Sequence, residues 1–262
     1  MKPLSIIKVG GAVVEDDRAL EAFLGRFAAM QGARILVHGG GRSATALADR
    51  LGLPTSMVAG RRVTDAATLD LVTMTYAGRV NKRIVSALQC RGVDALGLSG
   101  ADARCVCSSR RPPVPVGDRT VDYGLVGDVR EVRVPFFDRL LSDGFIPVLS
   151  PLSWCPEDGL LNTNADTMAS ALAVALAESW DVTLSFCFEQ PGVLSDPADP
   201  ASVIPRLDAA AYAALKASGA VSGGMIPKLD NAFAALAGGV RAVRICSAEQ
   251  PLGGTLIHGE TA

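Results

Sequence analysis

The chain has 262 residues, 49% of them hydrophobic, 20% charged and 5% aromatic, and its 25 basic residues against 27 acidic ones leave a net charge of −2. That apolar share at so low a charge excludes general disorder, and the length suffices for one wide domain or two lobes with a large core. No dense Lys/Arg stripe points to nucleic acid, and the most apolar stretch, Met168 to Ala177, is too short for a membrane span and runs into Glu178, Ser179 and Asp181.

In chain order, Pro3 to Val9 is strand-like, and beginning so early it predicts no signal peptide and a cytoplasmic protein. Asp16 to Gln31 has apolar residues at Leu20, Phe23, Leu24 and Phe27, a helical spacing. Ala33 to His38 is a second strand, and Ser43 to Leu51 a helix. Thr64 to Gln89 reads as one long helix interrupted only by Gly78, with Thr64 as its cap. Val93 to Ser99 and Phe145 to Ser150 read as strands around a short helix, Phe136 to Ser142. An alanine-rich helix, Asn164 to Glu178, precedes the strand Val182 to Phe188. Helices at Asp208 to Ala217 and Met225 to Ala237, then strands at Ala242 to Cys246 and Thr255 to His258, complete the count. This alternation predicts an α/β protein, a three-layer αβα sandwich around a mainly parallel central sheet. Ser108 to Thr120 and Ser195 to Arg206, rich in proline and polar residues, read as exposed loops.

The cysteines at 90, 105, 107, 155, 187 and 246 form no C-x-x-C, and only His38 and His258 could complete a zinc set, so buried free thiols and no metal site are expected. Ligands of open α/β sheets bind where strands end in loops, and three such junctions are rich in glycine. They are Lys8-Val9-Gly10-Gly11, His38-Gly39-Gly40-Gly41 and Ser222-Gly223-Gly224-Met225-Ile226-Pro227-Lys228. Each is either a tight turn or a place where backbone N–H groups approach an anion at a helix N-terminus. Three together, two with one of the chain's five lysines, favour phosphate. The P-loop, the dinucleotide fingerprint, the protein-kinase set and the G-x-S-x-G elbow are all absent. In Asn162-Thr163-Asn164-Ala165-Asp166, Asn164 suits a helix cap and Asp166 complements the helix dipole; alternatively the carboxylate bridges two lysines. Gly60-Arg61-Arg62-Val63-Thr64 is either an exposed turn or a clamp for a substrate carboxylate.

Taken in order over nearly the whole chain, these segments, with Leu98-Ser99-Gly100-Ala101-Asp102 and Gly124-Leu125-Val126-Gly127-Asp128-Val129, resemble the amino acid kinase family. The resemblance implies two lobes, 1–178 for the acylated amino acid and dimerisation and 179–262 for the nucleotide. It also implies phosphoryl transfer from ATP, with Mg2+ on its phosphates, to the γ-carboxylate of an N-acylated glutamate in arginine biosynthesis. Lys8 and Lys228 would neutralise the migrating phosphoryl group, and Asp166 would hold the two lysines. The amides of Gly10, Gly11 and Gly40 would cradle phosphates. Gly40, Gly41, Arg62 and Asn162 would bind the acceptor, which carries an acetyl or succinyl group. Glu189, Gly192, Val193 and Leu194, with Ala220, Val221, Ser222, Gly224 and Met225, would line the nucleotide pocket. The family usually has an aspartate where this chain has Glu189. A homodimer insensitive to arginine is implied, because Lys8 lies too near the start for the N-terminal helix of arginine-inhibited hexamers. Rival readings are a sister kinase with another small acceptor, a non-catalytic relative, and a dinucleotide-dependent oxidoreductase.

Overall fold

A computed structural model of the chain describes residues 1–196, 198–221 and 225–259. Its contacts group the residues into two compact units, 1–36 with 169–262, and 37–168. The division read from the sequence at 178 follows chain order, whereas the grouping follows strand pairing. The strand Lys2–Val9 runs parallel to Trp180–Phe188 in unbroken register, from Lys2↔Trp180 to Val9↔Cys187, and so joins the C-terminal part.

In the first unit the strands stand in the order Arg206–Leu207, Thr255–Ile257, Ala242–Ser247, Trp180–Phe188, Lys2–Val9 and Ala33–His38, the last two residues of which are grouped with the second unit. The pairings with Trp180–Phe188 are parallel, and Ala242–Ser247 with Thr255–Ile257 is antiparallel. Consecutive residues such as Ile6 and Ile7, or Ile35 and Leu36, point to opposite faces and are all fully buried, so the strands are covered on both sides as the alternation predicts. The helix Asp17–Ala29 starts at Asp16, whose carboxylate accepts the Ala19 N–H at 2.8 Å, and buries Leu20, Phe23, Leu24 and Phe27. Met225–Ala237 packs on the strand Ala242–Ser247.

The second unit pairs Ala95–Leu98 with Ile146–Leu149 in parallel under the helix Asn81–Gln89. It also holds a four-stranded sheet in the order Gly159–Asn162, Leu152–Cys155, Val106–Arg110, Gly127–Val132. Three expectations change here. The segment Ser108 to Thr120 is not one exposed loop: Ser108 to Arg110 belong to the strand Val106–Arg110, and Val114–Val116 pairs with Arg119–Val121 as a hairpin. Its prolines mask the alternation, but Val114 and Val116 pack against Val121, Tyr123 and Val126, and Pro115 is tolerated because the ribbon has only two strands. The long helix begins at Ala66, capped not by Thr64 but by Asp65, whose carboxylate accepts the Thr68 N–H at 2.8 Å. Thr64 is fully buried, its N–H donated to the Tyr123 carbonyl and its hydroxyl to that of Arg62. Finally, the helix is interrupted over more than Gly78: Met74–Val80 winds as a π-helix between Ala66–Thr73 and Asn81–Gln89. Thr75 bonds back to the Leu71 carbonyl at 2.8 Å and Gly78 weakens the ladder, which together favour the wider turn.

All six cysteines are free, but Cys90 is exposed and Cys107 half-buried, so the expectation of uniformly buried thiols holds for the other four. The segment Ser195 to Arg206 is mostly exposed, with Pro197 outside the described residues. No helix among the described residues is long and apolar enough to cross a membrane.

Candidate active site

The first unit brings two lysines to one aromatic ring. Lys8 sits near the end of the strand Lys2–Val9 and is 7% exposed. Its register partner is Phe186, and Phe188, two residues further, stands on the same face. The Lys8 ammonium lies 5.0 Å from the centroid of the Phe188 ring, and the Lys228 ammonium, from the first turn of Met225–Ala237, lies 3.8 Å from the same centroid. These distances cap the separation of the two nitrogens at their sum, about 8.8 Å. Nothing in the sequence singled out Phe188; its one signal is its place at the carboxyl end of a strand, directly before Glu189.

The neighbouring glycine turn behaves differently from expectation at one position. The Gly10 N–H donates to the Cys187 carbonyl at 3.0 Å, continuing the strand pairing, and is therefore already spent. Gly11 opens the short helix Gly11–Glu15, and a side chain there would meet nothing within 4 Å. In the segment expected to line a nucleotide pocket, Glu189 is exposed, while Val193 and Leu194 turn inward. The Val193 N–H donates to the Thr255 hydroxyl at 2.8 Å, and a Cβ on Gly192 would come within 2.8 Å of that hydroxyl. Val221 is buried and Ala220 half-buried; Ser222 and Gly224 lie outside the described residues, and Met225 is the first residue of its helix.

The second unit assembles the residues expected around an acceptor. The hairpin Ser56–Val58 and Arg61–Val63 turns on Ala59 and Gly60, both at positive φ, and delivers Arg62 to the start of the helix Gly41–Leu51. Arg62 is 6% exposed, and its Nη2 donates to the Gly41 carbonyl at 2.9 Å and to the Thr45 hydroxyl at 2.7 Å. Its Nε and Nη1 are buried and donate to nothing among the described residues. A buried guanidinium with two nitrogens left over is costly by itself. Gly40, which caps that helix, has the Tyr76 ring where its Cβ would stand, 2.7 Å from Cδ1, so any side chain would displace an aromatic of the π-segment. Asn162 donates to the Thr64 hydroxyl at 3.0 Å, and its N–H to the Leu125 carbonyl at 3.0 Å. Asn164 caps the helix Ala165–Leu176, accepting the N–H groups of Asp166 at 2.8 Å and Thr167 at 3.0 Å. Asp166 contributes to the field at Arg61, whose guanidinium is pulled down by burial and by Arg111 against the opposing pull of Asp128, Tyr123 and Asp166.

His38 and Asn81 underpin the glycine loop and were not singled out together from the sequence. His38 is fully buried, with Nδ1 2.7 Å from the Gly39 carbonyl, which makes Nδ1 the protonated nitrogen. Nε2 accepts from the Asn81 amide at 3.1 Å, and that amide also donates to the Val148 carbonyl at 2.9 Å. Burial pushes the imidazole down to about 4, with the Gly39 carbonyl opposing. The unfolded chain therefore binds a proton near pH 6.5 that the native state refuses until about pH 4, so stability falls as pH drops through that window. Urea unfolding of wild type is expected to lose about 2 kcal/mol between pH 7 and pH 5 through this group, and His38→Gln to lose correspondingly less.

The chain matches a family model described as the amino acid kinase family over residues 3–247. It is 50% identical to an acetylglutamate kinase of Parabacteroides distasonis over 250 residues, 95% of this chain and 96% of that one. It is 49% identical to an acetylglutamate kinase of Cytophaga hutchinsonii, with 95% and 93% covered. Among solved structures, smu.665 from Streptococcus mutans superposes with a TM-score of 0.78 at 29% identity, covering 98% of this chain and 99% of that one. Carbamate kinase from Giardia lamblia bound to AMP-PNP shares the fold, with a TM-score of 0.69 at 14% identity and 99% of each chain covered.

Proposed function

The chain belongs to the amino acid kinase family, and from that premise we propose that it transfers the γ-phosphoryl group of ATP to the γ-carboxylate of an N-acylated glutamate, N-acetyl-L-glutamate in the first place, as a step of arginine biosynthesis. The observation that carries this reading is the pairing of Lys8 and Lys228 on one ring, supported by half-identical relatives named for that activity.

The chemistry asks for no general base. A glutamate γ-carboxylate is ionised at neutral pH and is itself the nucleophile, so catalysis reduces to positioning and to neutralising anionic oxygens. Lys8 and Lys228 supply the neutralising charge, with Asp166 as the acidic member of the catalytic set. Arg62 takes the α-carboxylate on one of its free nitrogens, Asn162 the acyl amide, and Gly40 and Gly41 the backbone of the acceptor. Gly11 and the segments 189–194 and 220–225 receive the nucleotide, and the open space at Gly11 suits a phosphate close to the backbone. Mg2+ would be carried on the ATP phosphates, where it would supply positive charge, since no cluster of three or more potential metal ligands stands together among the described residues.

Hydroxylamine trapping of the acyl phosphate tests the reading directly. N-acetylglutamate with ATP is expected to yield the hydroxamate, N-succinylglutamate serves as the arm that reads the acyl group, and no product from either overturns the proposal. We place the enzyme in the cytoplasm as a homodimer, and light scattering is expected to give twice the chain mass.

A further inference from the structure

The resemblance implies an acidic holder for the lysines, Asp166, but no aromatic surface beneath them. We propose that the ring of Phe188 is that surface, a positioning residue that fixes both ammonium groups for phosphoryl transfer; the inference rests on the proposed kinase activity for its kinetic consequence and on geometry alone for its structural one. Two like charges within about 8.8 Å of each other repel, and a partly dry environment strengthens the repulsion. The negative face of an aromatic ring attracts both and offsets part of it, which an aliphatic side chain of similar volume cannot do.

The ring is itself held. It stacks on Phe186 with centroids 6.3 Å apart and planes 9° from parallel, and Phe186 is buried. The backbone beneath it is fixed by the parallel register with Ser247 and by the Ala248 N–H, which donates to the Phe188 carbonyl at 3.1 Å. An ammonium over such a ring keeps a defined position, which is what transfer to a positioned anion requires.

The five lysines make the geometry directly observable. In wild type carrying [ε-13C]lysine, the signals of Lys8 and Lys228, identified through Lys8→Arg and Lys228→Arg, are expected to be displaced by the ring current of Phe188. They should return to ordinary positions in Phe188→Leu, while Lys216, 5.6 Å from the Tyr212 ring, stays displaced as a control. Kinetically, Phe188→Leu is expected to lower kcat about tenfold with the KM of the acceptor within twofold, and Phe188→Tyr to restore most of the loss. Undisplaced Lys8 and Lys228 signals in wild type overturn the inference, as does a leucine variant with wild-type kcat or a tyrosine variant as impaired as leucine. If wild type forms no acyl phosphate, the kinase reading fails and the lysine signals still decide the platform. If the leucine variant does not fold, the wild-type and tyrosine spectra decide it.

Discussion

Lys8→Met and Lys228→Met are each expected to lower kcat by about a hundredfold or more, with the protein still folded and the KM for ATP little changed. An ammonium that meets charge on the transferring phosphoryl group acts chiefly in the transition state, and removing one such donor costs on the order of 3 kcal/mol. Methionine keeps the length and apolar body of the side chain, so the buried Lys8 site is still filled. Because the two lysines share one ring, they act as a unit, and the double variant should fall far short of the product of the single losses. Steady-state kinetics on the three variants, with unfolding curves as the control, read this. Near wild-type kcat in either single variant contradicts the assignment.

Arg62→Ala is expected to act on the other kinetic parameter, raising the KM of the acylglutamate about a hundredfold with a smaller change in kcat. A charged hydrogen-bonded pair lost from a buried site costs roughly 3 kcal/mol. Arg62→Lys should not rescue it. The guanidinium holds the Gly41 carbonyl and the Thr45 hydroxyl with Nη2 while keeping Nε and Nη1 free, and a single ammonium cannot reproduce that geometry. Isothermal titration of N-acetylglutamate into both variants separates binding from turnover. An unchanged affinity in Arg62→Ala removes the arginine from the acceptor site.

Much of this architecture is legible before any coordinates, because the physics behind it is local. Strands buried on both faces read as continuous apolar runs, as in Ile6-Ile7 and Ile35-Leu36-Val37, and the helix Asp17–Ala29 shows its spacing and its aspartate cap. Glycine at 40 and 60 is likewise visible as a break in the pattern, although the reason for Gly40 is a ring from Tyr76 that no local rule predicts. What stays hidden is set by partners distant in sequence. The hairpin around Gly117 is obscured by Pro112, Pro113 and Pro115, and its stability comes from Tyr123 and Val126. The Gly10 amide looks available in sequence and is consumed by Cys187. Lys8 and Lys228 can be suspected from neighbouring glycines, but their common contact, Phe188, is indistinguishable in sequence from a routine strand residue.

The most direct measurement of the central claim is 31P NMR of wild type with ATP and N-acetylglutamate. The account predicts an acyl phosphate resonance that grows in step with ADP and is absent when the acceptor is omitted. ADP and inorganic phosphate accumulating equally with and without acceptor, or ATP bound but never turned over, contradicts it.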